Sequence, residues 1–387
     1  MEITTDHNQK TAVPLLEPCR LGDLLLKNRV VMAPLTRTRA ANPGKIPNEL
    51  MIEYYKQRAS AGPIITEGTF VSRRGQGWYG APGLYDDDQV VGWKKVTDAV
   101  HAEGGLIFLQ LWHQGSVSLP EFFNNGERPL APSAVNPEQL VHTSHGKVMS
   151  ETPAEMTVAD IRQTIADFRS SAKLAKNAGF DGVQIQAGYV YVIQQFLHET
   201  TNRRTDHYGG SIENRARFLF EVLEAVLEVW PAERVGIKTG PMMNELGAFK
   251  ALPSTVPTTE YVYKKLNAYR LSHLLVMRQN ADLSGTPIAW LAGDEAARHV
   301  RQHYDGKTLL NVGIDANHGN QLLRDGLADF ICFGRDYIAN PDFVERIRTG
   351  APLNPQRPEF YYGVTATGYT DYPFLHQSSE PHGRTGT

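Results

Sequence analysis

Eight short runs rich in apolar and β-branched residues constrain this chain more than anything else in it. They are Val30 to Ala33, Ile64 to Thr66, Leu106 to Gln110, Gly182 to Gln186, Val235 to Thr239, His273 to Met277, Leu309 to Val312 and Phe330 to Phe333. Each is separated from the next by enough residues for a crossover helix, and strands joined that way pair in parallel. Eight such units in 387 residues predict an α/β fold closed into a (β/α)8 TIM barrel, with a doubly wound open sheet as the alternative. One barrel domain is expected over residues 1–375. The remainder, 376–387, is polar and contains Gly, Ser and Thr, a composition that predicts a disordered tail.

Several crossover helices carry their own start and stop signals. Thr157-Val-Ala-Asp160 reads as a capping box opening a helix through Ile161, Ile165, Phe168 and Ala172, with Gly179 as its stop. Ser211 is expected to cap the next helix, whose apolar positions Phe218, Leu219, Val222, Leu223, Val226 and Leu227 form one core face. Between the third and fourth strands lies a stretch from about His113 to Thr157, rich in Pro, Asn, Ser and Gly. A loop of that length is usually functional, and leaving the C-terminal end of a barrel strand it is expected to cover the barrel mouth as a lid.

Composition excludes several function classes. The formal net charge is -3 with both signs dispersed, so no polyanion-binding footprint is present and nucleic acid is not an expected partner. No run is long and apolar enough for a membrane span, and the first residues lack the apolar core of a secretory signal. Cys19 and Cys332, the two cysteines, have no metal-type spacing and fit reduced thiols in a cytoplasmic protein. His113, His198 and His207 are not placed as helical metal ligands, so no metal is expected. Fingerprints of tightly bound dinucleotides or nucleoside triphosphates and of a serine-nucleophile elbow are missing as well.

The chemistry is expected where the fourth run ends. In Gly182-Val-Gln-Ile-Gln-Ala-Gly-Tyr-Val-Tyr191 the apolar strand gives way to Gln186, Tyr189 and Tyr191, at the strand end that carries active-site groups in barrels. The tyrosines can equally be packing aromatics. A second candidate is the end of the last run, Cys332-Phe-Gly-Arg335, together with Gly313 after the seventh. Glycines that admit a close backbone approach, beside a guanidinium, suit a phosphate; a turn glycine beside a surface arginine is the plainer alternative.

Longer motifs then carry a resemblance. Asn28-Arg-Val-Val-Met-Ala-Pro-Leu-Thr-Arg37, Gln57-Arg-Ala-Ser-Ala-Gly62, Gln110-Leu-Trp-His113, Leu130-Ala-Pro-Ser133, the run Asn202-Arg-Arg-Thr-Asp-His-Tyr-Gly-Gly-Ser-Ile-Glu-Asn-Arg-Ala-Arg-Phe218, Phe333-Gly-Arg335 and Gly368-Tyr-Thr-Asp-Tyr-Pro373 together resemble the Old Yellow Enzyme family over nearly the whole chain. The resemblance implies an FMN-containing barrel that takes hydride from NAD(P)H and passes it to an activated alkene. It implies that Pro34, Leu35 and Thr36 line the isoalloxazine, that Gly68 and Gln110 touch its polar edge, and that Gly313, Gly334 and Arg335 hold the phosphate. Phe360 and Tyr361 would border flavin and substrate, with Trp112 also on the substrate side.

The departures fall on the reacting groups. Where the family usually carries His, then Asn or His, then Tyr, this chain has Gln186, Tyr189 and Tyr191; the first two groups of the family bind the substrate carbonyl and the tyrosine protonates the α-carbon. Lys238 stands for a usual arginine at the flavin edge, Ser116 for another arginine, and Val312 for a glycine near the phosphate. The expected function is therefore reduction of an α,β-unsaturated carbonyl compound, of a bulky kind from specialised metabolism, by a monomer or homodimer. The alternatives are a redox-neutral double-bond isomerase that keeps FMN as a structural element and an inactive flavin-binding protein.

Overall fold

The computed structural model describes residues 13–240, 247–278 and 282–375; the expected disorder of the tail lies outside them. Eight parallel strands close into a barrel: β1 (Val30–Met32), β2 (Ile64–Phe70), β3 (Ile107–Trp112), β4 (Gly182–Gln186), β5 (Val235–Thr239), β6 (His273–Met277), β7 (Thr308–Asn311) and β8 (Phe330–Phe333). Ladder partners join each to the next, and β8 to β1. All eight expected runs are strands, and the open sheet is excluded. The second and third extend further than their apolar runs, and β2 carries a register shift between Ile65 and Gly68 that bends it at the barrel mouth.

Helices cover the outside: α1 (Glu49–Lys56), α2 (Asp87–Ala102), α3 (Val158–Asn177), α4 (Val192–Leu197), α5 (Ile212–Leu227), α6 (Thr255–Leu266), α7 (Glu295–His303), α8 (Ala316–Arg324), α9 (Arg335–Ala339) and α10 (Phe343–Thr349). The capping box of α3 is formed, with Asp160 N–H donating to Thr157 Oγ1 at 3.1 Å and Thr157 N–H donating to Asp160 Oδ2 at 2.8 Å. After α3, Gly179 turns the chain with φ 82°, a left-handed conformation that glycine adopts without a Cβ penalty. Ser211 caps α5 by accepting from Asn214 N–H at 3.3 Å.

Inside the barrel, Val31, Ile65, Phe108, Leu275, Leu309 and Phe330 form one apolar cluster with Leu21 and Leu26. Those two leucines belong to a hairpin, Cys19–Leu21 with Leu24–Leu26, which therefore plugs the N-terminal mouth. The opposite mouth holds Gln110, Gln186 and Lys238 among aromatic and apolar side chains.

The insertion after β3 is not structureless. It contains an antiparallel hairpin, Leu140–Thr143 with Gly146–Met149, and a short parallel pair, Leu130–Ala131 with Ala154–Glu155. His142 of the hairpin stacks on Trp78 at 3.8 Å, and Tyr79 N–H donates to the His142 carbonyl at 2.8 Å. The hairpin is thereby fastened to the segment that follows β2.

At the other end of the chain, residues 357–373 are drawn onto the barrel by buried arginines. Arg37 donates to the carbonyls of Tyr361 (2.8 Å) and Gly368 (2.7 Å), and Arg39 to those of Thr365 (3.1 Å) and Thr367 (3.0 Å). Tyr369 stacks on Tyr54 at 4.0 Å, with Arg58 over the Tyr54 ring. A buried guanidinium is tolerated only when its donors are spent on acceptors. Here the acceptors are main-chain carbonyls of the C-terminal segment.

Candidate active site

The strand register sets the floor of the site. Gln184 of β4 lies beside Gln110 of β3, and Gln186 lies beside Lys238 of β5. Gln110 Nε2 donates to Gln184 Oε1 at 2.7 Å, Gln184 Nε2 meets His273 Nε2 at 2.9 Å, and His273 Nδ1 lies 3.1 Å from Ser272 Oγ. Burial pushes the His273 imidazole down to about 3, so it is neutral. Its Nε2 accepts from Gln184, which leaves the proton on Nδ1 for Ser272. The relay spends the Gln110 amide nitrogen inward and leaves its Oε1 as an acceptor on the cavity.

Lys238 is buried, and desolvation lowers its ammonium to about 8, with Cys332 of the facing strand working the other way. Among the described residues no carboxylate pairs with it. A buried cation lacking a counter-ion at a strand end is an anion- or carbonyl-seeking group.

Gln186 is oriented from its own chain: its Oε1 accepts from Gly188 N–H at 3.0 Å. A backbone N–H only donates, so the atom facing it is the amide oxygen, and the amide N–H groups are left for the cavity. Tyr189 follows with φ 59°, a left-handed conformation uncommon for a bulky residue. That turn sets the Tyr189 ring 5.7 Å from the ring of Tyr191, which packs edge-on to Trp112 at 4.9 Å. Burial raises the hydroxyls of both tyrosines above their ordinary value. They remain neutral donors at any working pH.

Trp112 in turn stacks on Phe70 at 5.2 Å, and it explains a glycine. A Cβ on Gly68 would lie 2.4 Å from the Trp112 ring, so any side chain there would displace the indole.

These groups share one cavity of about 200 Å³. Of the residues nominated from sequence, Pro34, Leu35, Thr36, Gly68, Gln110, Trp112, Gln186, Tyr189, Tyr191 and Lys238 line it. Trp78, Met277 and Tyr362 line it too and were not foreseen. Tyr362 stands 5.7 Å from Trp78 and 5.1 Å from His142, so the C-terminal segment and the hairpin meet over the mouth. Burial brings His142 down to about 4, which makes this rim aromatic and uncharged.

Gly313, Gly334 and Arg335 do not line the cavity. They lie at the ends of β7 and β8, and Leu35 of the cavity adjoins Gly334, where an added Cβ would touch it at 3.4 Å. Arg335 is exposed and forms no ion pair among the described residues. Val312 and Gly313 are both left-handed, with φ 80° and 68°. For a β-branched residue this is strain, of a kind that gathers where backbone approaches a ligand. Phe360 and Tyr361 also stand off the cavity. Phe360 lies against Gly368 and beneath Arg357, whereas Tyr361 packs with Leu35, Ile338 and Tyr372 and donates to Gln356 Oε1 at 2.6 Å. The cavity residue of this segment is Tyr362. Ser116 braces the lid, its N–H donating to Gln195 Oε1 at 3.0 Å.

An amide acceptor, a buried cation, the Pro34–Leu35–Thr36 shelf and a separate guanidinium suit a flat group with a polar imide-like edge and a phosphate at its far end. FMN has that form, and the donor set fits it.

A profile of the NADH:flavin oxidoreductase / NADH oxidase family matches residues 14–354. The chain is 38% identical over 378 residues to 12-oxophytodienoate reductase 1 of Oryza sativa subsp. japonica, covering 95% of each. Among solved structures it is similar to morphinone reductase in complex with tetrahydroNAD, with TM-score 0.86 and 41% identity, covering 95% of this chain and 99% of that one. It is similar also to the old yellow enzyme homologue from Zymomonas mobilis, with TM-score 0.86 and 37% identity over 93% and 99% of the two chains.

Proposed function

Because the chain belongs to the Old Yellow Enzyme family of FMN-dependent NADH:flavin oxidoreductases, we propose that it reduces the carbon–carbon double bond of an α,β-unsaturated carbonyl compound at the expense of NAD(P)H. The observation that carries this reading is the wall of the cavity on which the Gln186 amide and the Tyr189 and Tyr191 hydroxyls stand together, above the floor of Gln110 and Lys238.

FMN, when bound, supplies two-electron hydride chemistry between nicotinamide and substrate. Gln110 and Lys238 would hold the polar edge of its ring system, with Lys238 supplying positive charge there, and Gly313, Gly334 and Arg335 would hold its phosphate. The protein's part toward substrate is electrostatic and acid–base. The Gln186 amide and the Tyr189 hydroxyl donate to the carbonyl oxygen and stabilise the negative charge that grows there as the β-carbon is reduced. Tyr191 holds the proton for the α-carbon; its burial makes the phenol a poor source of phenolate, and the proton leaves only when a carbanionic acceptor develops. Trp78, Trp112 and Tyr362 give the substrate side an aromatic lining.

Relatives named for 12-oxophytodienoate and morphinone reduction support the reaction class. The altered pair, Gln186 and Tyr189, favours a shaped and bulky substrate of specialised metabolism. Free Cys19 and Cys332 agree with a cytoplasmic setting, and no helix among the described residues is long and apolar enough to cross a membrane. A monomer or homodimer is the expected assembly.

One arrangement favours a second reading. Two phenols with adjoining rings allow one to give a proton to the substrate and, as the phenolate so formed, to take a different proton back, which would shift the double bond without net reduction and make the protein an isomerase. Origin of hydrogen separates the two. With nicotinamide deuterated on its transferring face, reduction gives label at the β-carbon and a product two hydrogens heavier than the substrate. Turnover in D2O without nicotinamide, giving deuterated product of unchanged oxidation level, would replace reduction by isomerisation. No turnover with any enone, despite a full complement of flavin, would leave a binding protein.

A further inference from the structure

Outside the cavity, α6 and α7 bring three potential ligands together. His299 and His303 are four residues apart on α7 and so share a face, and Glu260 of α6 faces them. One ligand atom from each lies within 4.8 Å of the others. Glu260 Oε1 is 3.1 Å from His303 Nε2 and 3.8 Å from His299 Nε2. Two atoms bound to a tetrahedral zinc at its usual bond lengths stand about 3.3 to 3.4 Å apart, so modest side-chain movement suffices.

An independent observation points to a ligand. His299 is only 5% exposed, and its Nε2 is buried with no hydrogen-bond partner, whereas His303 Nε2 already reaches Glu260. Buried polar atoms in folded proteins are satisfied as a rule. Lys264 lies 3.4 Å from the other Glu260 oxygen, Oε2, and leaves Oε1 turned to the histidines. Trp290 packs edge-on to His299 at 5.2 Å.

We propose that Glu260, His299 and His303 bind a divalent transition cation of the zinc type, which clips α6 to α7. Two imidazoles and a carboxylate suit such an ion, with water as the fourth ligand. The helices follow β5 and β6, whose ends carry Lys238 and Met277 of the cavity wall. The clip therefore stiffens two adjoining strand–helix units without entering the chemistry.

The test is titration of the chelator-treated, tag-free holoprotein with Co2+. Expected is one equivalent bound, with the intense visible ligand-field bands of four-coordinate cobalt to the red of flavin absorption, their loss on adding Zn2+, and a higher melting temperature with Zn2+. His303→Gln and Glu260→Gln, both at partly exposed positions, should abolish the bands while flavin content stays at the parent level. Absence of any saturable cobalt or zinc binding by the parent protein would overturn the proposal, as would binding unchanged in these variants. If either variant fails to fold, the stoichiometry and spectrum of the parent still decide.

Discussion

The side-chain oxygen of Gln186 accepts a hydrogen bond from the backbone N–H of Gly188, two residues along the same chain. This local loop decides which end of the amide meets a substrate, and it makes Gln186 a donor. Gln186→Glu would keep the contact to Gly188 and turn a carboxylate oxygen toward the cavity. Loss of one well-placed oxyanion donor costs about 2.7 to 4 kcal/mol. Steady-state kinetics with an enone turned over by the parent should therefore show kcat/KM falling by roughly 100- to 1000-fold, with flavin content unchanged. A variant as active as its parent would remove Gln186 from the carbonyl site.

Restoring the usual family groups should work in the opposite direction. Gln186→His with Tyr189→Asn is expected to raise turnover of cyclohexenone by roughly tenfold or more, whereas each single change does less because the two groups act as a unit. Backbone favours the change as well: position 189 is left-handed, and asparagine enters that region more readily than tyrosine. Normal flavin content without a gain in turnover would mean that this pair does not limit reduction of simple enones.

Lys238 gives the site a pH dependence. Its folded-state value of about 8 lies below the ordinary lysine range, so in the FMN-free pocket it is charged below pH 8 and neutral above. An electron-rich flavin edge favours the charged form and raises that value on binding. Above pH 8, FMN binding then takes up a proton, and affinity falls by up to about tenfold per pH unit. Titrating apoprotein with FMN by fluorescence quenching should show this slope. The slope should vanish in Lys238→Met; if it persists there, another group is responsible.

Val312 is half-buried and left-handed, a conformation that costs a β-branched residue about 1 to 3 kcal/mol. Glycine removes that strain but adds about 0.5 to 1 kcal/mol of chain entropy to the unfolded state. Val312→Gly is therefore expected to raise the melting temperature of the apoprotein modestly. A lower value would show that packing of the isopropyl group outweighs the strain.

The barrel was legible because each strand is a short, continuous apolar run between helix-length segments, as parallel strands buried on both faces must be. Gln186, Tyr189 and Tyr191 were legible because they follow the end of a strand, whereas Gln110 and Lys238 of the floor were reached only through the family resemblance. The rim of the cavity was not legible. Tyr361 and Tyr362 adjoin in an irregular segment where no periodicity tells which ring faces inward, and the answer depends on Arg37 and Arg39, more than 320 residues earlier. Trp78 joins the site through a stack on His142, from strands too short to announce themselves. The spacing of His299 and His303 is visible in the sequence, but Glu260 stands on another helix. Only the packing of α6 on α7 brings it into reach.

The buried arginines also impose an order of assembly. Arg37 and Arg39 leave the ribosome with the first barrel strand, yet carbonyl acceptors of theirs belong to Tyr361, Thr365, Thr367 and Gly368. Until those residues emerge, the guanidinium N–H groups that they satisfy have only water to donate to, although Arg37 can already reach Tyr54 and Arg39 the Arg37 carbonyl. A nascent or truncated chain ending before Arg357 can therefore possess every barrel strand and still lack the Tyr362 wall. The segment that brings Tyr362 to the cavity depends on arginines that follow the first barrel strand.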